Sequence, residues 1–379
     1  MIPLAIPNLC GNEGSYLQEC VTTGFVSSVG PFVGRFEKMV AASAETPDAV
    51  ATSSGTTGLH LALICAGVLP GDLVVTTAFS FIATANAIAH CGASPWFFDI
   101  SGRDWCLDAG LLVETLRKET VPTATGLRHK VTGRRVAALM PVYTNGYIPA
   151  GFRAIAEEFG LPLVADAAPA IGSQRDGKGV GTFADLTVFS FNGNKTVTTG
   201  GGGAVVCHDP ALLARARHLS STARVGADYD HDTVGYNYRM TNVEAAIGCA
   251  QLENLSRFVA AKRHIRDFYN NALLPHAGVT LFPDTADKGN ACWFSGFVLP
   301  ADGRIPFESF AQKLNAGGVQ CRAFWKPLHM QKPFGECPKT QMTVCESLWH
   351  RVVVLPCSSQ LSEEDMIHVI RVVESALKG

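Results

Sequence analysis

One stretch, FSFNGNKTVTTGGGG (residues 189–203), constrains this chain more than any other part of its sequence. Lys195 follows an apolar run, stands among asparagines and threonines, and precedes four consecutive glycines. Such glycines indicate a tight backbone that another group can approach closely. A lysine in a polar loop at a strand end can form a Schiff base if its neighbours lower its pKa. The stretch fits equally well a plain β-hairpin with an exposed lysine, so other parts of the chain have to decide.

Short apolar runs alternate with helical patterns on the N-terminal side of this lysine. The runs predict strands at 73–77, 95–100, 136–143, 161–165 and 186–191, and the segments between them predict helices at 81–90, 109–118 and 150–159. Continuous apolar runs are typical of a parallel sheet that is buried on both faces. Ligands bind such sheets at the carboxyl ends of the strands. The polar residues that come at these ends are Asp166, Ser190, Lys195 and the turn at 143–145.

A second polar turn precedes an apolar helix near the N-terminus. Ser53, Ser54, Gly55 and Thr56 precede a predicted apolar helix that carries Leu59, Leu61, Leu63 and Ile64. Small hydroxyl residues and glycine at a helix start leave N–H groups available to an anion, and the helix dipole favours negative charge there. A simple Ser/Thr N-cap explains the same residues, so this motif is weak by itself.

These features together match the requirements of pyridoxal 5′-phosphate (PLP). Lys195 offers an amine for the aldehyde, Asp166 a carboxylate for a protonated ring nitrogen, and Gly55 and Thr56 donors for a phosphate. Each residue also has a structural interpretation, since Asp166 could be a satisfied strand-end carboxylate and Ser190 a turn residue. Their joint occurrence at successive strand ends favours the cofactor.

Composition excludes several other classes of protein. A chain of 379 residues with 47% hydrophobic and 17% charged residues predicts a folded protein with a large domain (1–250) and a long connecting helix plus small C-terminal domain (251–379). A formal net charge of −2 argues against nucleic-acid binding. We interpret the basic run at 128–135 as a surface loop, with a ligand-phosphate contact as the alternative. No apolar run suggests a membrane span, and twelve scattered cysteines without a CxxC pair fit a reducing cytoplasm.

Several motifs resemble those of the DegT/DnrJ-type nucleotide-sugar aminotransferases, which are fold-type-I PLP enzymes. The resemblance runs from residue 2 to about residue 373, and the motifs that carry it are SSGTTGLHLAL (53–63), FSFIATANA (79–87), ADAAPAIGS (165–173), the lysine stretch described above, and GYNYRMTN (235–242). It implies an α/β fold, with a three-layer large domain around a mostly parallel sheet and a smaller C-terminal α+β domain.

The resemblance also implies a role for each matching residue. Lys195 binds PLP covalently and Asp166 pairs with the pyridine nitrogen. Phe81 stacks on the ring. The phosphate is held by Gly55, Thr56 and Ser190, joined by Asn237 from the other subunit of a homodimer with shared active sites. L-Glutamate is the implied amino donor and pyridoxamine 5′-phosphate the aminated form of the cofactor.

The acceptor implied by the resemblance is a nucleotide-linked 4-keto-6-deoxy sugar that is aminated at C4. Segments 26–30 and 132–135 favour a UDP-linked 2-acetamido sugar, and a GDP-linked sugar, as in perosamine synthases, is the alternative. Two departures concern the cofactor site: Pro169 stands where the family usually has a polar residue, and Tyr143-Thr144-Asn145 replaces the usual HLY turn. A PLP-fold dehydratase and a non-catalytic sugar-responsive protein are the other classes, and Lys195 argues against the first.

Overall fold

The computed structural model describes residues 1–276, 278–283 and 289–378. The helices of these residues are, in chain order, α1 (Glu13–Thr23), α2 (Pro31–Ala44), α3 (Gly55–Cys65), α4 (Ala83–His90), α5 (Ala109–Glu119), α6 (Phe152–Phe159), α7 (Pro210–Ser220), α8 (Asn242–Leu252), α9 (Leu255–Leu273), α10 (Phe307–Ala316), α11 (Thr343–Leu348) and α12 (Glu363–Lys378). No helix in this part of the chain is long and apolar enough to cross a membrane.

The strands are, in the same order, β1 (Asp48–Thr52), β2 (Leu73–Thr77), β3 (Ser94–Phe98), β4 (Thr120–Thr123), β5 (Gly126–His129), β6 (Val136–Met140), β7 (Val164–Asp166), β8 (Gln174–Arg175), β9 (Lys178–Gly179), β10 (Leu186–Ser190), β11 (Gly203–Cys207), β12 (Arg224–Val225), β13 (Asp230–His231), β14 (Thr280–Leu281), β15 (Ser295–Val298), β16 (Arg322–Ala323) and β17 (Val352–Leu355). The predicted strands of the large domain are all present, with ends that differ by a few residues.

The central sheet joins two groups of strands, β1-β11-β10-β7 and β3-β2-β6. Parallel bridges from Leu139 to Leu163 and from Val142 to Asp166 connect β6 with the β7 side. Strands β7, β10, β6, β2 and β3 run parallel, whereas β11 is antiparallel to both of its neighbours. The sheet is therefore mostly parallel, as the sequence predicts.

Alternate residues of these strands belong to different hydrophobic clusters. Leu73 and Val75 of β2 belong to a cluster that includes residues of α2, α5 and α8, whereas Val74 belongs to one that includes residues of α3, α4 and α7. Because successive side chains of a strand point to opposite faces, the sheet has a helical layer on each side. This confirms the three-layer α/β architecture, and it explains why the strand sequences are apolar at nearly every position.

A second sheet, β14-β15-β17-β16, lies in the C-terminal part and is antiparallel throughout. It shares a hydrophobic cluster with helices α9, α10 and α12. The N-terminal segment joins the same region, since the Ile2 N–H donates to the Gly318 carbonyl oxygen over 2.7 Å. The helical pattern of residues 241–274 predicts one long bent helix, whereas the structure has two helices there, since α8 ends at Leu252 and α9 begins at Leu255. The predicted domain boundary at residue 250 falls within α8 and stays a prediction.

Candidate active site

Lys195 lies in the connection between the antiparallel strands β10 and β11. The connection is thus a hairpin, but the lysine side chain faces the interior of the protein. Its Nζ lies 3.5 Å from the centroid of the Trp293 ring, and the Trp293 Nε1–H donates to the Asn194 carbonyl oxygen over 2.8 Å. Burial lowers the pKa of Lys195 to about 7, and the nearby Asp166 carboxylate opposes that shift. A large fraction of this amine is therefore neutral at physiological pH.

Asp166 is the last residue of β7 and is 3% exposed. Its Oδ2 accepts a hydrogen bond from the Thr84 hydroxyl (2.6 Å), and its Oδ1 accepts one from the Ala168 N–H (3.2 Å). Burial raises the pKa of Asp166, although both hydrogen bonds and Lys195 favour the ionised form. Within the described residues no cation lies within ion-pair distance of this carboxylate.

The start of α3 provides free backbone donors beside these two residues. Ser54 and Thr57 form a capping box, in which the Thr57 N–H donates to the Ser54 Oγ over 3.1 Å. Gly55 stands so close to Ser190 that a Cβ would lie 2.8 Å from the Ser190 Cβ. The helix start and the end of β10 are therefore brought together only because residue 55 is glycine.

The glycine run after Lys195 has the close approach that its sequence predicts. A Cβ on Gly203 would lie 2.5 Å from the Ser54 backbone, and the Gly202 N–H donates to the Ser53 carbonyl oxygen over 3.0 Å. Gly202 also has a φ of 78°, which favours glycine. The glycine run thus holds the turn at residues 53–56, which we call the phosphate-type turn, against the hairpin that carries Lys195.

A cavity of about 540 Å³ connects these groups. The predicted residues that line it are Gly55, Thr56, Phe81, Asp166, Ser190 and Lys195. Phe81 is 59% exposed, so it presents an apolar ring that a planar ligand could cover. Asn237 does not line the cavity of its own subunit, and the turn at 143–145 does not line it either. In the basic run, Arg135 forms an ion pair with Asp72, which directly precedes β2, and Arg135 does not line the cavity.

The segment that carries Asn237 is fixed to the phosphate-type turn by the main chain. The Ser53 N–H donates to the Tyr238 carbonyl oxygen over 2.8 Å. The rings of Tyr236 and Tyr238 stack at 4.9 Å, and the Tyr238 hydroxyl lies 3.0 Å from Nδ1 of His60 on α3. Asn237, between the two tyrosines, is exposed.

Sequence reasoning missed several residues of the cavity wall. Thr84 stands in the FSFIATANA motif, but nothing in that motif indicates its bond to Asp166. Trp293, Phe294, Phe324 and Trp325 supply an aromatic wall from the C-terminal part, and Arg322 supplies a guanidinium. The adjacent aromatic residues at 293–294 and 324–325 could have indicated this wall from the sequence, since aromatic side chains commonly line ligand pockets.

These residues fit PLP on three observations. Among the residues that the structure describes, no cation pairs with the buried Asp166 carboxylate, and a protonated pyridine nitrogen would supply one. The start of α3 offers donors for a phosphate, and the amine of Lys195 has the lowered pKa that a Schiff-base lysine needs. A mostly parallel three-layer sheet with these groups at its strand ends defines the class: a fold-type-I PLP enzyme.

The comparisons with known proteins identify the family. The profile of the DegT/DnrJ/EryC1/StrS aminotransferase family matches residues 8–374, and the chain belongs to this family. The chain is 33% identical to the GDP-perosamine synthase of Vibrio cholerae, over 96% of this chain and 97% of that protein. It is 32% identical to the UDP-N-acetyl-3-dehydro-alpha-D-glucosamine 3-aminotransferase of Acidithiobacillus ferrooxidans, over 90% and 88%.

A solved structure agrees with these sequence relatives. The aminotransferase TlmJ of Streptoalloteichus hindustanus superposes with a TM-score of 0.88 at 29% identity, covering 100% of this chain and 99% of that one. The protein is accordingly a PLP-dependent sugar aminotransferase.

Proposed function

We propose that the protein transfers an amino group from L-glutamate to C4 of a nucleotide-linked 4-keto-6-deoxy sugar, as a homodimer with shared active sites. The observation that carries this proposal is one cavity that holds a lysine of lowered pKa, the open start of a helix, and a buried carboxylate with no cation partner in the described part of the chain. PLP, when bound, supplies an electron sink for the carbon that exchanges the amino group.

The residues of this chain divide the work by their chemistry. Lys195 binds the cofactor through Nζ and, with a pKa of about 7, can accept and return a proton at that atom. Asp166 holds the ring nitrogen protonated, and Phe81 covers the ring. Gly55, Thr56 and Ser190 bind the phosphate, and Asn237 completes the same site in the partner subunit.

In this proposal, the cavity wall from the C-terminal part determines which substrates bind. Arg322 offers a guanidinium for an anionic group, either the carboxylate of the donor or the diphosphate of the acceptor. The aromatic residues beside it, Phe324 and Trp325, exclude water and provide apolar contacts for the sugar ring.

Two nucleotide sugars are candidates for the acceptor of the amino group. The sequence motifs favour UDP-2-acetamido-2,6-dideoxy-hexos-4-ulose, but segments 26–30 and 132–135 lie outside the cavity of their own subunit. The similarity to a GDP-perosamine synthase favours GDP-4-keto-6-deoxymannose. The Acidithiobacillus relative shows that amination at C3 also occurs in this family.

A substrate panel tests the proposal. We expect the PLP-loaded protein and L-glutamate to aminate a UDP- or a GDP-linked 4-keto-6-deoxy sugar, with the product identified by mass spectrometry and its regiochemistry by NMR. The Lys195→Ala variant should bind no PLP covalently and give no product, although it folds. Transfer only to a 3-keto sugar, or undiminished turnover by Lys195→Ala, would show the proposal to be wrong.

A further inference from the structure

We propose that Thr84 is a positioning residue that keeps Asp166 ionised and correctly oriented for the cofactor ring, through a chain of hydroxyl groups that begins at Ser80. The inference rests on the proposed pairing of Asp166 with the pyridine nitrogen. It assigns to helix α4 a part in the chemistry beyond its place in the hydrophobic core.

The contact is short and buried. Thr84 is 1% exposed and Ser80 is 2% exposed. The Thr84 Oγ1 lies 2.6 Å from the Asp166 Oδ2 and 2.6 Å from the Ser80 Oγ. Both hydroxyl residues border the same cavity as the carboxylate.

The direction of this chain depends on the charge of Asp166. An ionised carboxylate only accepts hydrogen bonds, and a threonine hydroxyl has a single proton to donate. When Asp166 is ionised, Thr84 therefore donates to the carboxylate and Ser80 donates to Thr84. A hydrogen bond to a charged carboxylate is stronger than one to a neutral carboxyl group, so this chain stabilises the ionised form of Asp166.

Burial works against that form. It raises the pKa of Asp166, and the Thr84 hydroxyl, the Ala168 N–H and Lys195 are the groups that lower it again. Thr84 is the nearest side-chain donor to the carboxylate among the described residues, so Asp166 depends on it to remain a counter-ion for the ring.

The test is the protonation of the ring nitrogen in Thr84→Val, which keeps the shape of threonine without its hydroxyl. The PLP-loaded dimer is reconstituted with cofactor labelled with ¹⁵N at the pyridine nitrogen and titrated by NMR. We expect the ratio of protonated to unprotonated nitrogen to fall about tenfold, the scale of one hydrogen bond to a charged group. Thr84→Ser, which restores the hydroxyl, should keep the nitrogen protonated as in the wild-type protein.

A ring nitrogen that stays fully protonated in Thr84→Val would overturn the inference, as would an equal loss in Thr84→Ser. If Thr84→Val does not fold, Ser80→Ala replaces it as the test variant, because it removes only the hydroxyl that donates to Thr84. The ratio of protonated to unprotonated nitrogen should then fall by a smaller factor. An unchanged ratio in Ser80→Ala would overturn the inference. The Asp166→Asn variant distinguishes a failure of the proposed pairing with the ring nitrogen from a failure of the role of Thr84. An unchanged nitrogen in Asp166→Asn contradicts the proposed pairing, whereas a change there without one in Thr84→Val contradicts only the role of Thr84.

Discussion

At the scale of single residues, the reactivity of Lys195 depends on the partial burial of its amine, which faces the cavity. An ordinary lysine has a pKa of about 10.4 and is almost wholly charged at neutral pH. Burial lowers the pKa of Lys195 to about 7, although the Trp293 face and the Asp166 carboxylate both favour the cation. The desolvation of the amine is therefore the stronger effect, and it supplies the neutral nucleophile.

This pKa predicts the pH dependence of cofactor attachment. When PLP is added to the apo-protein, the rate of covalent attachment should rise with pH through about 7 and then level off, because only the neutral amine attacks the aldehyde. Stopped-flow absorbance of the visible band measures this rate, with N-acetyl-lysine amide as the control for an exposed amine. A rate that keeps rising towards pH 10, as for the control, would contradict a lowered pKa.

At the scale of elements, Asn145 fastens the aromatic wall to the large domain. Its side-chain amide donates to the Phe294 carbonyl oxygen (2.9 Å) and its Oδ1 accepts from the Phe294 N–H (2.6 Å). Asn145 has a φ of 56°, a conformation that asparagine adopts more readily than most residues. The turn at 143–145 thus holds the segment that places Trp293 over Lys195.

Replacing Asn145 with alanine should loosen this connection. We expect a loss of about 1–3 kcal/mol of unfolding free energy for the unsatisfied Phe294 backbone groups, plus about 1 kcal/mol of backbone strain. Urea denaturation of the PLP-free protein measures the total. Asn145→Gly serves as the control, because it also loses both hydrogen bonds but tolerates the left-handed conformation. If Asn145→Gly matched the wild-type stability, the two hydrogen bonds would contribute nothing.

The sequence predicts the elements of the site better than their connections. Asp166, Ser190 and Lys195 are predictable because each follows a buried strand, and parallel strands bring their ends to one edge. The bond from Thr84 to Asp166 spans 82 residues, and the bonds from Asn145 to Phe294 span 149. Local patterns carry no signal for such contacts, since they depend on how α4 and the C-terminal part pack against the sheet. The turn at 143–145 was expected at the ligand and instead holds a wall of the cavity.

At the scale of the whole molecule, the position of Asn237 bears on the proposed dimer. Asn237 is exposed and lies outside the cavity of its own subunit, whereas the other predicted phosphate-binding residues line it. The segment at 25–29 carries apolar side chains that face solvent, since Phe25 is 45% and Val29 62% exposed. This segment lies near the one that carries Asn237, because the Asn242 side-chain amide donates to the Phe25 carbonyl oxygen. Both observations support a partner subunit at this surface.

Mixed dimers provide a direct test of shared sites. Lys195→Ala and Asn237→Ala should each be nearly inactive alone, and co-folding the two should restore activity. In the mixed dimer the Asn237→Ala subunit keeps its lysine and receives an intact Asn237 from its partner, so one complete site forms. Activity is measured on mixtures sorted by two affinity tags. If Asn237 acted within its own subunit, no combination would restore activity, and the proposal would be wrong.

The hydrogen bond from the Ser53 N–H to the Tyr238 carbonyl oxygen has a consequence for how this enzyme can diversify. It joins a stretch that begins the phosphate turn to one that carries Asn237, and the two are far apart in the gene. Because both groups belong to the main chain, side-chain substitutions leave the bond possible, whereas an insertion or deletion within either stretch would misalign the other. A chimera of this chain with a relative should therefore keep this contact wherever the crossover falls, provided that the two stretches have the same length in both parents.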